Sequence, residues 1–460
     1  MLIKPRLLWL VMAEGHYPFY LINLKARLLM SVGQWQESER LYRGMLAALD
    51  RLEDGLPAAT VKNQLGYVLL QKGEGKEALP LLEEVYRHDL ENGYEEEAAK
   101  PLLNMGNIHK NIGDYTRALE HYRLAVELGQ GNGDLETVAL AWGNIGLVEW
   151  YRGEYEEALG SVERAMALAR ESGNIQQIGI AHGTIGNIQY STGRFREALE
   201  SYRRQMEIAR NIGDKYSLRV ALNNMGAIHD VRGEYAEEKE CFLLSLEIAR
   251  QLGNRAGERV VLGNLGGVCV NTGELEAAGD YFRKSLDLAE DLGDRRGIGI
   301  TFYNLGLLAS MGGDHRGALS LFSRALPVLE ELKAKDFWCL CLLRRSEAEF
   351  ATGERVQAIN SAEKALTIAM EVNQGEAACQ ARILLALIEH RIGRADTEEA
   401  KAKILAELQG DDEALKARVR VALFRLTDSE ENRGEARAAL TKLLETTPKH
   451  EYRLMLDSLI

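Results

Sequence analysis

An all-α solenoid of antiparallel helix hairpins is predicted by three observations. A glycine recurs every 40 residues, a second chain break sits midway between successive glycines, and the stretches between breaks carry helical patterning. The glycine runs from Gly33 through Gly73, Gly113, Gly153, Gly193, Gly233, Gly273, Gly313 and Gly353 to Gly393 without losing register. Units of this size cannot bury their apolar faces alone and depend on stacked neighbours. A continuous array is therefore expected in place of the roughly three domains that the length would otherwise suggest.

Composition narrows the partners. A net charge of -13 opposes binding to a polyanion, which needs clustered Lys and Arg. No apolar run approaches the roughly 18 residues that cross a bilayer, so neither nucleic acid nor membrane is expected. Cys241, Cys269, Cys339, Cys341 and Cys379 are odd in number and scattered, which fits small core residues in a reduced, cytoplasmic setting.

Taken in order, residues 1–14 are ambiguous. Lys4 and Arg6 precede an apolar stretch from Leu7 to Ala13, which reads as a cap, a partial repeat or a signal segment. Residues 15–93 read as degenerate repeats that keep the turns at Gly33 and Gly73, and residues 94–332 as six well-formed 40-residue units. One unit runs from Asp214 to Gly253: a helix over Tyr216 to Val231, a break at Arg232-Gly233-Glu234-Tyr235, and a helix over Ala236 to Leu252. Glycine takes the left-handed conformation that ends a helix, and a following acidic residue favours the next start. The second break recurs as Gly133-Asp134, Gly173-Asn174, Gly213-Asp214, Gly253-Asn254 and Gly293-Asp294.

Small residues recur where paired helices must approach. Gly106, Gly146, Gly186, Gly226, Gly266 and Gly306 share one phase, and Ala118, Ala158, Ala198, Ala278 and Ala318 another. A helical glycine costs about 1 kcal/mol against alanine, so six in one phase imply that close packing returns more. Tyr122, Tyr202, Phe242, Phe282 and Phe322 supply the large partners, and from Leu102 to Leu326 no proline interrupts a helix. Residues 333–446 read as degenerate repeats around Gly353 and Gly393, with a last hairpin from Asp411 to Thr446 turning at Gly434. Residues 447–460 read as a final amphipathic capping helix. The count is about eleven helix pairs.

The pattern Asn104-Met105-Gly106-Asn107, then Gly113-Asp114-Tyr115, Ala118, Tyr122 and Ala125, resembles the tetratricopeptide repeat, although the unit is longer than the usual one. The Gly-Asp or Gly-Asn endings and the Leu246 to Arg250 run resemble the 40-residue variety of the spindle-orientation adaptors Pins and LGN. This resemblance implies a right-handed superhelix whose first helices line an inner surface that binds extended peptides or partner helices. The lysines of the chaperone-tail carboxylate clamp are missing, since Leu103, Gly143, Gly183, Asn223 and Gly263 stand before the asparagine phase.

On that inner helix Asn104, Asn107 and Asn111 share one face, while Leu102, Met105, Ile108 and Ile112 form another. The first phase continues as Asn144, Thr184, Asn224, Asn264 and Asn304, and the second recurs as Asn187. Each amide offers donors and an acceptor for the backbone of an extended chain, or equally for a neighbouring helix, and both readings stand. Tyr151, Ser191, Val231, Asn271 and Met311 follow the Asn111 phase and vary, as specificity residues do. Trp150, Tyr190, Arg219 and Arg259 join them, since aromatics and arginines anchor interfaces. The two arginines would meet an acidic ligand or pair with nearby carboxylates.

No P-loop, His-Glu-x-x-His motif or Gly-x-Ser-x-Gly turn is present. His109 and His229 share a phase but lie three units apart, too far to share a metal. The expectation is a non-enzymatic scaffold, cofactor-free and monomeric, that binds a peptide or partner protein along its concave face. The alternative is a peptide sensor whose superhelix changes curvature and acts on a separate effector. A further possibility is self-assembly through an apolar end made by Leu454, Leu456, Leu459 and Ile460.

Overall fold

A computed structural model describes residues 10–12, 15–17, 19–31, 34–49, 55–408 and 412–459. The expectations placed on Lys4, Arg6, Gly33, Asp411 and Ile460 lie outside these residues. The chain divides into two compact units, one of Met1–Ile228 with Ile248–Asn254 and one of His229–Glu247 with Arg255–Ile460.

The first unit opens with a small hairpin, β1 (Leu10–Met12) antiparallel to β2 (Gly15–Tyr17), with Val11 opposite His16. Of residues 1–14, the described ones form the strand β1, and β-branched Val11 suits it. Then follow α1 (Phe19–Ser31), α2 (Trp35–Leu49), α3 (Gly55–Gln71), α4 (Gly75–Glu91), α5 (Glu95–Asn111), α6 (Tyr115–Asn132), α7 (Leu135–Tyr151), α8 (Tyr155–Glu171), α9 (Ile175–Ser191) and α10 (Phe195–Ile212). Helices α11 (Lys215–Val231) and α12 (Tyr235–Gln251) contribute residues to both units. The second unit continues with α13 (Arg255–Thr272), α14 (Leu275–Leu292), α15 (Arg295–Met311), α16 (His315–Glu331), α17 (Lys335–Thr352), α18 (Arg355–Glu371), α19 (Gly375–Arg391), α20 (Thr397–Leu405), α21 (Glu413–Thr427), α22 (Glu430–Thr446) and α23 (His450–Asp457).

The expected helix boundaries follow from the turns. Gly113, Gly133, Gly153, Gly193, Gly293 and Gly313 have φ near +65 to +81°, the left-handed region that ends a helix without a Cβ penalty. After the turn, Asp and Asn cap the next helix: the side chains of Asp114, Asp134, Asn174, Asp294 and Asp314 accept the amide hydrogens of Arg117, Thr137, Gln177, Gly297 and Gly317 at 2.9–3.2 Å. Glu154, Glu274 and Glu354 make no such bond. Asp and Asn are preferred at this position because a short side chain reaches the orphan amides directly.

Helix pairs interlock where the glycine phase predicts. A Cβ on Gly106, Gly186, Gly266 or Gly306 would lie under 3.0 Å from the ring of Tyr122, Tyr202, Phe282 or Phe322, respectively. At Gly146 the same notch takes Val162. Within each unit, odd-numbered helices touch the next odd-numbered helix, as in α3–α5–α7–α9 and α13–α15–α17–α19–α21. Among the described residues, no such row of contacts joins successive even-numbered helices. The odd helices therefore line the inner side of each unit's curvature.

The C-terminal end departs from the register. The last hairpin, α21–α22, is present, but Gly434 lies inside α22 and the turn comes at Asp428, with φ of +50°. Asp tolerates this conformation better than most residues. The Leu454–Ile460 end surface is also partly consumed, because Leu459 is buried in a cluster with Val421, Leu440, Leu443 and Tyr452, and Leu456 packs against it. From α22 the chain turns back: a Cβ on Gly233 would sit 3.3 Å from the Thr446 carbonyl oxygen, and one on Gly273 would sit 2.8 Å from His450 Nδ1. Helix α23 thereby reaches α13 across the inner side of its own unit.

Candidate functional site

In the first unit the asparagine face is partly woven into the repeat wall. Asn107 Oδ1 accepts the Tyr122 hydroxyl at 2.8 Å and Lys110 Nζ at 3.2 Å. Asn187 Oδ1 likewise accepts the Tyr202 hydroxyl at 2.7 Å and, across to the next repeat, Asn224 Nδ2 at 3.2 Å. Asn104 donates to Asn63 at 2.9 Å. These amides satisfy phenols that burial holds in the neutral form, with Tyr202 and Tyr122 both pushed well up from the ordinary tyrosine value. Asn111 and Asn144 make no side-chain hydrogen bond among the described residues, Asn111 exposed and Asn144 half-buried.

The aromatic candidates pack on one another. Tyr151, half exposed, stacks on Tyr115 at 6.0 Å and lies 4.9 Å from Trp150, whose Nε1 donates to Ser191 Oγ one repeat on. Tyr190 meets Phe195 edge-on at 5.5 Å. Arg219 is buried with its guanidinium over the Tyr216 ring at 5.2 Å.

In the second unit Arg259 Nε pairs with Asp294 at 2.9 Å, the same carboxylate that caps α15. Its charge is thus answered internally, as the carboxylate-pairing alternative anticipates. Asn271 donates to Asp230 at 3.0 Å, and Asn264 is also engaged. Asn304 is half-buried with no side-chain hydrogen bond among the described residues.

Beyond Asn304 the inner register leads into a cavity of about 640 Å³, lined by α15, α17, α19 and α21 and by α23. Arg344 stands one period past Asn304; Phe350, Ala351, Leu387, His390 and Arg391 continue the other inner phases. Glu451 of α23 enters this cavity and pairs with Arg418 at 3.0 Å and Arg344 at 3.7 Å, while Arg344 also meets Glu347 at 3.0 Å. Burial pushes the Glu451 carboxyl up, but Arg418 and Arg344 more than offset this and hold it below the usual carboxylate range.

None of these cavity residues was singled out from the sequence. The signal was available, because the 40-residue register extends past Asn304 even though its residue type changes from asparagine to arginine and leucine. Glu451 lies outside any repeat, and nothing periodic points to it.

Models described as tetratricopeptide repeat match residues 97–171, 177–251 and 258–331, and a second such model matches residues 21–56, together more than half of the chain. Comparison with curated protein sequences finds no match. Among solved structures, the apo form of the quorum sensor NprR from B. thuringiensis is similar with a TM-score of 0.55 and 16% identity, covering 76% of this chain and 98% of that one. A Rap protein complexed with Competence and Sporulation Factor gives 0.53 and 14%, covering 78% and 99%. A signal-transduction ATPase with a tetratricopeptide repeat sensor from Pyrococcus horikoshii gives 0.53 and 15%, covering 91% of this chain but 55% of that one. At these identities the likeness is one of fold.

Proposed function

Because the chain belongs to the tetratricopeptide repeat family, we propose that it is a non-enzymatic interaction protein that binds a peptide or partner protein along the inner face of its repeats. The observation that carries this reading is the inner register itself. At one phase it presents the uncommitted amides of Asn144 and Asn304, and one period later it opens into the second unit's cavity. Asn104, Asn107, Asn187 and Asn224, already bonded within the wall, hold the surface in shape, while Asn111, Asn144, Asn304 and Tyr151 face the ligand. The 40-residue unit, which resembles that of the Pins and LGN adaptors, favours an adaptor. The buried cysteines, whose thiols burial pushes up, as at Cys241 (to about 11), suit a reduced cytoplasmic setting. Among the described residues, no helix is long and apolar enough to cross a membrane.

A second reading, a peptide sensor whose superhelix changes curvature and acts on a separate effector, draws support from the fold shared with a quorum sensor and with a Rap protein solved with a bound factor. Small-angle scattering separates the two: a scaffold keeps its radius of gyration on binding and a sensor does not. The inner-face reading is tested by affinity capture with mass spectrometry on the native chain and on the double variant Asn144→Ala, Asn304→Ala. Loss of specific partners from a variant that stays folded by circular dichroism is the expected result. Unchanged partners would move the search to the even-numbered helices.

A further inference from the structure

The cavity of the second unit has a charge opposite to that of the chain. Arg344, Arg391, Arg418, Arg425, His315 and His390 line it against two carboxylates, Glu347 and Glu451, in a protein of net charge -13. Arg344 and Arg418 converge from α17 and α21 on one carboxylate position, which Glu451 fills from a helix that belongs to no repeat. Both guanidiniums still have a buried Nε without a hydrogen-bond partner, and so has the Gln380 Oε1 beside them. Arg391 and Arg425 also line the cavity, are exposed and have no carboxylate partner among the described residues. Apolar side chains, Phe350, Leu384, Leu387 and Leu426 among them, complete the lining.

Resting on the inner-face reading above, we propose that this cavity binds a short acidic peptide, and that Glu451 occupies the peptide's carboxylate subsite from within the chain. Guanidinium groups suit this role because their planar fork pairs with carboxylates through charge-assisted bonds. The volume falls within the range of about 300 to 1,000 Å³ typical of ligand sites. A strong polyanion fits poorly, since Glu347 stays beside Arg344 and would repel it. An acidic side chain flanked by apolar ones matches cations set into an apolar wall. Its carboxylate displaces Glu451 from Arg344 and Arg418, which loosens α23 from the cavity.

The test is selection of random heptapeptides displayed on phage against the full-length chain. Enriched peptides, synthesised with a fluorescein label, are then titrated by anisotropy against the native protein and the Asn144→Ala, Arg391→Glu, Arg425→Glu and Glu451→Gln variants. Both arginines are exposed, so the reversals leave the fold intact, as circular dichroism checks. The expected peptides are acidic. They bind about tenfold more weakly to each arginine reversal, more tightly to Glu451→Gln, and more weakly as salt rises.

Peptides that are neutral or basic, or that respond to Asn144→Ala but to neither arginine reversal, would overturn this inference and leave the inner-face reading standing. Arginine-dependent stabilisation by free succinate with no enriched peptide would overturn the peptide as the ligand. Absence of any enriched peptide or succinate effect would count against both readings.

Discussion

At the scale of single residues, Gly186 shows how a missing side chain positions a helix pair. A Cβ there would lie under 3.0 Å from the Tyr202 ring, which is itself fixed by its bond to Asn187. Gly186→Ala is expected to destabilise the protein by about 2 kcal/mol through overpacking, although alanine is the better helix former by about 1 kcal/mol. Gly160 in α8 is the control, since a Cβ there meets nothing within 4 Å, and its alanine variant should be neutral or slightly stabilised. Urea unfolding of both variants checks this; equal effects would remove the packing explanation. The notch was legible in the sequence because both partners repeat in phase. The double role of Asn107 and Asn187 was not, since whether an amide faces a ligand or a phenol depends on the ring that packs beside it, 15 residues away.

At the scale of elements, the described turns from Gly73 to Gly393 that fall on the 40-residue glycine have that glycine in the left-handed conformation, and the C-terminal turn departs from it. Gly434 nearly fits the period and reads as a turn, yet Asp428 adopts the left-handed conformation and α22 runs through the glycine. The element without any periodic signal is the C-terminal segment from Thr446 through α23. It packs over the turn at Gly233, near Glu238, which is buried with one carboxylate oxygen lacking a partner. Burial first, then the Asp230 charge, pushes the Glu238 carboxyl from 4.5 up to about 8, against the opposing pull of Lys449. The folded chain therefore keeps this proton up to about pH 8, whereas the unfolded chain loses it near 4.5. The stabilising contribution is full below the lower value and declines as pH rises to the upper one. The midpoint temperature of Glu238→Gln relative to the native chain should accordingly rise between these limits. Parallel pH profiles for the two proteins would show that Glu238 ionises normally and that the segment does not seal it.

At the scale of the whole molecule, the repeat fixes much of what can be read in advance. Eleven helix pairs followed by a last helix are present in the described chain, as the register implies. Its limit is equally physical: a period gives position, and chemistry depends on residue type. Asparagines drew attention to one stretch of the inner register, while its continuation through Arg344, Phe350 and Arg391 changed type and passed unnoticed. The cationic cavity also needs Arg418, which the α17–α19–α21 row supplies, and Glu451, which only the folding back of α23 brings to the two arginines.

The central claim, that ligands occupy the inner face, is tested most directly by site-specific photocrosslinking in cells. A benzophenone amino acid is placed at Asn144, Asn304 or Leu384 on odd-numbered helices, and at exposed Glu163 or Arg283 on even-numbered ones. The account predicts adducts from the inner positions, at all three for an extended partner or near Leu384 for a short peptide, and none from the outer two. Adducts confined to Glu163 and Arg283 would contradict it.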